Sequence, residues 1–304
     1  MQDLQAAVLQ EKKSALGLDA LSETLYPRWV RINNLKSNLK LQLQSTFAAF
    51  QQVRSLADLK SANSVYVDEH VPDLVALAPG GDISSSSAYH KGEIILQDKA
   101  SCFPAYLLLG DQDDTWKGDL VDGCAAPGNK TTHLASLLSA RNGHAETTIF
   151  SMDASTDRSK TLQKMVSVAG ADKLVSVLAG QDFLAVNHAD PRFKNVTGLL
   201  LDPSCSGSGI IGRDDVPRFI LPDPGRKSKD DHPRGKKRKR ADDDDAQSAA
   251  SAHRSEPSPP SKDRLTRLAN LQARIVEHAL GFPSATRVTY STCSIYILEN
   301  ELVI

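Results

Sequence analysis

The sequence predicts an α/β fold with an open, parallel-stranded sheet, preceded by a small α+β module. Short apolar runs alternate with helical patterns from about residue 93 onward. Several of these runs end in an acid or a cysteine that small residues follow. The segment before residue 93 instead mixes short strands and helices. Strands that alternate with helices are typical of βαβ units, which build parallel sheets.

Residues 120–135, LVDGCAAPGNKTTHLA, form the clearest strand–turn–helix pattern. An apolar run ends at Asp122, small residues fill the turn up to Gly128, and leucines then recur at helical spacing. Small residues let a ligand approach the backbone, and the first amides of the helix point towards it. A tight turn without a ligand is the simpler interpretation. The spacing from Gly123 to Gly128 also resembles a phosphate-binding P-loop, except that Asn129 displaces the lysine by one position.

Composition restricts the class of protein. The 304 residues suffice for one large domain or two modest ones, and a net charge of −1 means that nucleic-acid binding must come from local patches. We find no signal peptide and no apolar run of membrane-spanning length. We therefore expect a reducing compartment, free thiols and no membrane partner. The cysteines are too scattered to indicate a zinc site or a disulfide framework: Cys102, Cys124, Cys205 and Cys293.

The N-terminal part predicts a helix within residues 1–23 and a small α+β module over 24–92. Three basic residues near its first strand, Arg28, Arg31 and Lys36, are candidates to contact an RNA phosphate backbone. A solvated strand edge explains them equally well. The elements expected in this module are a strand over 28–33, a helix over 47–59 and short strands at 65–67 and 74–77.

Two acids follow strands of the second domain, which we place at 93–304. Asp153 ends the strand after the glycine turn, where a doubly wound fold hydrogen-bonds a ribose. It would alternatively cap the next helix. Asp182 follows the third strand and would accept from an adenine amino group or cap a turn. The expected elements are strands at 148–153, 174–178, 198–201 and 287–291 and helices at 99–109, with a buried Cys102, at 157–168 and at 265–280.

Two cysteines lie just past the ends of two predicted strands. Cys205 follows Asp202 in a glycine-rich loop, and Cys293 follows the fifth strand. In an open α/β sheet, ligands bind at the edge formed by the carboxyl ends of the strands. A cysteine in such a loop is exposed enough to react. The pair of thiols, with the nearby acids and the small-residue turn, therefore predicts an active site at this edge.

Residues 221–263 interrupt the pattern. A basic run at 235–240 precedes four aspartates at 242–245, and no apolar periodicity is present. We expect a disordered insertion between core elements. The basic run fits a nuclear localisation signal, although a solvated charge run is nearly as good an interpretation.

Four motifs together resemble those of the Nop–Sun RNA cytosine-C5 methyltransferases: LQDKASC, DGCAAPGNKT, DPSCSGSG and YSTCS followed by EN-E. They occur in the family order and cover about residues 28–304. LQDKASC, the segment VPDL at 71–74 and the segment GQDFLAV at 180–186 look most like the nucleolar branch that methylates large-subunit ribosomal RNA. The resemblance implies a Rossmann-like, S-adenosylmethionine-dependent methyltransferase domain behind an RNA-recognition-like module. It also implies a pre-ribosomal RNA partner and a nuclear, nucleolar location, and we expect a monomer.

The resemblance also implies roles for individual residues. Asp153 matches the acid that binds the ribose, Arg158 lies beside it, and Asp182 matches the acid on the adenine side. The full set that would bind S-adenosylmethionine is Cys124, Ala125, Ala126, Pro127, Gly128, Asn129, Lys130, Asp153, Arg158, Asp182 and Asp202.

The implied catalytic residues are Cys293, Cys205 and Asp202. Cys293 resembles the nucleophile that adds to C6 of cytosine, and Cys205 resembles the cysteine that assists product release. The thiol must first ionise, from an ordinary pKa of about 8.5. Asp202 matches the acid that faces the target base and, if protonated, would donate to N3.

The chain ends at residue 304, whereas the family continues with a further helix and strands, so we expect truncated C-terminal strands. Two other functions remain as alternatives. An RNA-binding ribosome-assembly factor with impaired catalysis would keep the fold. A P-loop ATPase is disfavoured because Asn129 breaks the lysine position and both Cys205 and Cys293 go unexplained.

Overall fold

A computed structural model of the chain describes residues 26–79, 81–110, 116–141, 147–210 and 260–304. The predicted N-terminal helix lies outside these residues, as does the predicted insertion up to residue 259. Within the described ranges, no helix is both long and apolar enough to cross a membrane.

The first domain is built on a five-stranded sheet of order β2-β3-β4-β1-β5. β2 and β3 pair in parallel, and the other neighbours pair antiparallel. Val30, Ile32, Val75 and Leu77 pack together in its core. Its elements are β1 (Arg28–Ile32), α1 (Leu39–Gln44), β2 (Gln51–Val53), a 3-10 turn (Leu56–Asp58), β3 (Ser64–Val67), β4 (Leu74–Leu77), α2 (Ser87–His90) and β5 (Ile94–Leu96).

Two expectations for this domain are wrong. The helix expected over 47–59 is absent, because Phe47 is buried in the sheet core and β2 follows directly. Helix α1 lies earlier, where Asn38 caps it by accepting from the N–H of Leu41. The first sheet also extends past residue 92, since β5 pairs with β1.

The second domain contains a five-stranded sheet of order β10-β9-β6-β7-β8. All its pairings are parallel, as predicted. Its helices are α3 (Lys99–Leu109), α4 (Asn129–Ser139), α5 (Thr156–Ala169) and α6 (Lys262–Leu280). Its strands are β6 (Asp119–Asp122), β7 (Ile149–Asp153), β8 (Val175–Ala179), β9 (Val196–Leu201) and β10 (Arg287–Tyr290).

Serine caps set where two of these helices begin. The Ser155 hydroxyl accepts from the N–H of Arg158, and the Ser261 hydroxyl accepts from the N–H of Arg264. A serine at this position satisfies an amide that has no partner within the helix. Helix α6 therefore begins at Lys262, and residues 262 and 263 are helical rather than part of a disordered insertion.

Apolar side chains cover both faces of the parallel sheet. Leu120 and Leu200 pack with Leu134 and Leu138 of α4 on one face. Val121, Leu199 and Leu201 pack on the other face, with Ile275 of α6. Successive strand residues point to opposite faces, so apolar residues stand side by side in the centre of β6, at Leu120 and Val121, and at the end of β9, at residues 199–201. Complete burial of each such side chain contributes about 1.5–3 kcal/mol.

A polar seam joins the two domains. The buried Arg31 donates from Nε to Gln97 Oε1 at 2.7 Å and from its terminal nitrogen to Thr132 Oγ1 of α4 at 3.0 Å. Asn33 Nδ2 donates to the carbonyl oxygens of Gly92 and Ala169 at 2.7 and 2.8 Å. Arg31 is buried in this seam, so neither interpretation of it, an RNA contact or a solvated strand edge, is observed.

Lys36 is also part of this seam. Its Nζ donates to the carbonyl oxygens of Lys91 and Val168 at 2.8 and 2.7 Å. The ammonium is thus used to join the two domains, whereas Arg28 remains partly exposed on β1.

Candidate active site

The carboxyl ends of the five parallel strands bring the predicted site residues to one edge. β6 ends at Asp122, β7 ends at Asp153, and β9 leads into Asp202. Cys293 follows β10 by three residues. Asp182 lies past β8, at the far side of the same edge.

The turn after β6 needs small residues. Gly128 has φ +113°, and a side chain there would meet Leu162 and Met165 at 3.1 Å. At Gly123 a side chain would meet the ring of Phe183 at 3.0 Å. Gly128 is the N-cap of α4, so the turn presents the amino end of that helix to the site edge.

Asp153 is a nearly buried carboxylate beside this turn. It accepts from the N–H of Ser155 at 2.9 Å and lies 3.3 Å from a guanidinium nitrogen of Arg158. The same nitrogen donates to the carbonyl oxygen of Ala126 at 2.7 Å. Arg158 thus joins Asp153 to the turn. The helix cap is Ser155, so the alternative of Asp153 as a cap is wrong.

Asp182 does cap a turn. Its carboxylate accepts from the N–H of Leu184 at 3.0 Å, at the start of the 3-10 turn Phe183–Ala185. The capping alternative is therefore observed, and the adenine-side role stays a prediction.

Two buried acceptor atoms flank the turn without a donor among the described residues: Asp122 Oδ1 and Asn129 Oδ1. The other oxygen of Asp122 accepts from Thr131 Oγ1 at 2.6 Å. Burial raises the pKa of Asp122 to about 7. Unsatisfied buried acceptors are costly, and they suit a ligand that brings amine or hydroxyl donors. S-adenosylmethionine carries both, so these residues fit that cofactor.

Burial also raises the pKa of Cys124, in the turn itself, to about 12. Cys102 is likewise buried, and its pKa is raised to about 12, as expected for a small core residue. Neither cysteine is therefore a nucleophile at neutral pH.

Asp202 is held by two partners. Lys130 Nζ lies 2.7 Å from its Oδ2, and Ser291 Oγ donates to its Oδ1 at 2.8 Å. Lys130 belongs to α4, and Ser291 follows β10, so the acid connects the cofactor turn with the cysteine loops. The family resemblance implies a cofactor role alone for Lys130, so this ion pair was not predicted.

The two predicted cysteines meet. Cys205 Sγ lies 3.0 Å from Cys293 Sγ, and the N–H of Cys293 points to Cys205 Sγ at 3.4 Å. The hydrogen bond from Cys293 outweighs burial and lowers the pKa of Cys205 to about 6. The same bond, together with burial, raises the pKa of Cys293. This contact therefore favours a thiolate at Cys205 that accepts a hydrogen bond from the protonated Cys293.

A buried hydrogen-bond network surrounds the two thiols, and the sequence did not predict it. Glu299 and Asn300 belong to the EN-E motif, but no role was assigned to them. Glu299 is fully buried and accepts from residues of both cysteine loops. The only available signal was an acid next to an amide after a Thr-Cys-Ser turn, which does not distinguish a buried acid from an exposed one.

Fold and site together define a Rossmann-like methyltransferase domain preceded by a small α+β domain. Residues 105–220 match the family described as 16S rRNA methyltransferase RsmB/F. Residues 26–97 match the family described as NOL1/NOP2/Sun domain family member 5, ferredoxin-like domain. The chain belongs to the Nop–Sun family, as the motifs predicted.

Among characterised relatives, the 25S rRNA (cytosine-C(5))-methyltransferase rcm1 of Schizosaccharomyces pombe is 38% identical over 278 residues. That match covers 91% of this chain and 50% of the relative. A 28S rRNA (cytosine-C(5))-methyltransferase of Mus musculus is 34% identical, with 91% of this chain and 51% of the relative covered. The chain spans about half the length of these relatives.

Solved structures support the fold. A methyltransferase homolog protein from Pyrococcus horikoshii has a TM-score of 0.58 and 21% identity, covering 96% of this chain and 72% of that one. NSun6 from Pyrococcus horikoshii, solved with SFG, has a TM-score of 0.56 and 15% identity, covering 98% of this chain and 84% of that one. Identities this low bear on the fold alone.

Proposed function

We propose that this protein methylates C5 of a cytosine in large-subunit ribosomal RNA with S-adenosylmethionine as the methyl donor. The observation that carries the proposal is the pair of thiols, 3.0 Å apart, beside Asp202 at the edge that also holds the cofactor turn. The names of the relatives in yeast and mouse support the substrate class.

The residues of the turn and of the next strand end would hold the cofactor. Asp153 would accept from ribose hydroxyls, and its contact with Arg158 would fix its orientation. Asp122 and Asn129 offer buried acceptors for an amino group. Asp182 would accept from the adenine amino group. When bound, S-adenosylmethionine supplies an electrophilic methyl group.

Cys293 is the proposed nucleophile. C5 of cytosine reacts poorly until a thiolate adds to C6 and makes the ring an enamine. The ionised Cys205 is in contact with the Cys293 thiol, so it would take the Cys293 proton as the Cys293 sulfur bonds to C6. The negative charge of the pair thus passes to the attacking sulfur without a separate base.

The Lys130–Asp202 pair would balance charge on the base. Addition at C6 places electrons on N3, which then needs a proton. Asp202 faces the site edge and is joined to the Lys130 ammonium at 2.7 Å. A proton from Lys130 would pass through Asp202 to N3 and return when the ring becomes aromatic again.

Product release reverses the addition. The C5 proton leaves to a base, the Cys293–C6 bond breaks, and its electron pair returns to the Cys293 sulfur. Cys205 is the proposed base for this step: the proton that it took from Cys293 first leaves to water, and its thiolate, which is in contact with Cys293, then accepts the C5 proton. The target base must be unstacked throughout.

The small domain is the proposed RNA-binding module, with Arg28 as a partly exposed basic residue on its first strand. We further propose a nuclear, nucleolar location directed by the basic run at 235–240. Alanine at its lysines and arginines should reduce nuclear accumulation of a fluorescent fusion without changing cofactor binding. Unchanged accumulation would contradict this role.

The test incubates the protein with labelled S-adenosylmethionine and large-subunit ribosomal RNA. Incorporated label measures methylation, and denaturing gels detect a covalent protein–RNA adduct. The parent protein should incorporate label. Cys293→Ala should give neither methylation nor a covalent adduct. Cys205→Ala should add to RNA more slowly, because water must then take the Cys293 proton, and should stall afterwards, so that an adduct accumulates. Cys102→Ala, at a buried cysteine outside the pair, is the control.

The reverse pattern, an adduct with Cys293→Ala only, would exchange the two roles. RNA binding without methylation by the parent would instead indicate a ribosome-assembly factor.

A further inference from the structure

Glu299 is a fully buried carboxylate that links the two cysteine loops. Its Oε1 accepts from the N–H of Ser206 at 2.9 Å, and its Oε2 accepts from the Ser294 hydroxyl at 2.5 Å. Ser206 directly follows Cys205, and Ser294 directly follows Cys293. One side chain is therefore bonded to the neighbour of each catalytic thiol.

Helix α6 holds this carboxylate from the opposite side. The buried Gln272 donates from Nε2 to Glu299 Oε1 at 3.0 Å and to the carbonyl oxygen of Ser204 at 2.9 Å. Ser204 precedes Cys205, so the residues on both sides of Cys205 are bonded to this network. Ser206 Oγ also donates to Ser294 Oγ at 3.1 Å, which joins the two loops directly.

Asn300 fixes the Cys293 turn in a similar way. Its Oδ1 accepts from Thr292 Oγ1 at 2.6 Å, and its Nδ2 donates to the carbonyl oxygen of Ser294 at 3.0 Å. The carbonyl oxygen of Glu299 accepts from the Tyr290 hydroxyl at 2.7 Å, at the end of β10. Asn300 is thus hydrogen-bonded to the residues before and after Cys293.

The charge of Glu299 needs an explanation beyond fold stability. Burial works against ionisation, yet hydrogen bonds from Ser206, Ser294 and Gln272 outweigh it and lower the pKa of Glu299. Apolar residues of similar volume often stabilise a core as well as a buried charge does. A fully bonded carboxylate instead specifies geometry, because its donors must occupy fixed positions.

We propose that Glu299 is a positioning residue that sets the distance between the Cys205 and Cys293 sulfurs, and that Asn300 supports it. The proposal rests on the proposed methyltransferase function, but the effect of Glu299 on the distance between the two sulfurs can be tested without measuring methylation. A displacement of about 1 Å at a reacting group can cost about 100-fold in rate.

The test replaces Glu299 with glutamine in the full chain. The amide oxygen can still accept from Ser206, but the amide nitrogen is a donor where the Ser294 hydroxyl also donates. The bond that Ser294 donates to a charged carboxylate is therefore lost, because the hydroxyl would have to turn and accept from the amide instead, while the size of the side chain is kept. Glu301→Gln is the matched control, because Glu301 is exposed two residues away.

The first measurement is disulfide formation between the two cysteines, with diamide as the oxidant. Diamide takes up the two thiol protons and two electrons as the S–S bond forms, and peptide mass mapping identifies the bond. We expect Glu299→Gln to slow this reaction by about 10- to 100-fold and Glu301→Gln to leave it unchanged. Methylation should lose kcat, while KM for RNA and S-adenosylmethionine binding stay within about twofold.

Parental rates of disulfide formation and methylation in a folded Glu299→Gln protein would overturn the proposal. If this variant does not fold, as judged by thermal unfolding, Ser294→Ala decides the question by removing the donor on the Cys293 side. An unchanged disulfide rate in that variant would equally refute the proposal. If the parent fails to methylate RNA while the disulfide rates still differ, the proposed function fails and the positioning role stands.

Discussion

Cys205 and Cys293 are 88 residues apart in the chain, yet their sulfur atoms lie 3.0 Å apart. Each follows a strand of the same parallel sheet, and β9 and β10 are neighbours. The contact makes the two thiols a single ionising unit in which the first proton leaves easily and the second is retained.

The first prediction concerns this shared proton. Iodoacetamide should modify Cys205 with a rate that rises as pH increases through about 6, because only the thiolate reacts. Cys293→Ala removes the thiol that donates to Cys205, so the pKa of Cys205 should rise and the profile should move to higher pH. Alkylation rates from pH 5 to 9, read by peptide mass mapping, test this. An identical midpoint in the variant would refute the shared-proton description.

The second prediction concerns Asp122. Its pKa of about 7 in the folded protein lies above the ordinary value of 3.8. A raised carboxyl pKa means that stability from this group is fully present below about pH 4 and is lost as pH rises through about 7. The loss is on the order of 4 kcal/mol for a fully buried group.

Asp122→Asn cannot ionise, so its free energy of unfolding relative to the parent should increase between pH 5 and pH 8. Denaturant unfolding at both pH values measures the difference. No change in this difference between the two pH values would show that Asp122 ionises at its ordinary pKa.

The third prediction concerns the cofactor. Asp153→Ala should weaken S-adenosylmethionine binding by about 1–3 kcal/mol, which is the range for a lost hydrogen bond to a charged group. Asp157→Ala is the control, since its side chain is 88% exposed in the first turn of the next helix. Isothermal titration calorimetry compares the two variants. Binding of ATP without any binding of S-adenosylmethionine would refute the cofactor assignment.

The fourth prediction concerns the domain seam. Arg31→Ala removes a buried guanidinium bonded to Gln97 and Thr132 and should lower the free energy of unfolding by about 2 kcal/mol or more. Arg54→Ala, at an exposed arginine of the same domain, should change it by less than about 0.5 kcal/mol. Urea unfolding measures both. Equal effects would mean that the seam bonds add nothing to stability.

The sequence predicted the parallel sheet and the edge where its functional residues meet. This worked because buried parallel strands read as apolar runs, and because their carboxyl ends share one edge whatever their order. It did not predict that Lys130 and Asp202 are paired, since their contact joins positions 72 residues apart.

The errors share a physical cause. Phe47 and Phe50 have a spacing that also suits a helix, and only the tertiary core decides that they pack edge to face beside β2. The sequence around Arg31 is typical of an exposed basic residue. Its acceptors, Gln97 and Thr132, are distant in the chain and come close only in the folded protein. Short patterns are ambiguous wherever partners come from distant parts of the chain.

The seam through Arg31, Asn33 and Lys36 also bears on how the molecule can come apart. If the small domain left, Thr132 and the carbonyl oxygens of Val168 and Ala169 would lose donors supplied from its first strand and the residues after it. Neither sheet can therefore melt without weakening the other. The chain has two domains by topology but should behave as a single cooperative unit on heating, with one transition and no stable half-molecule.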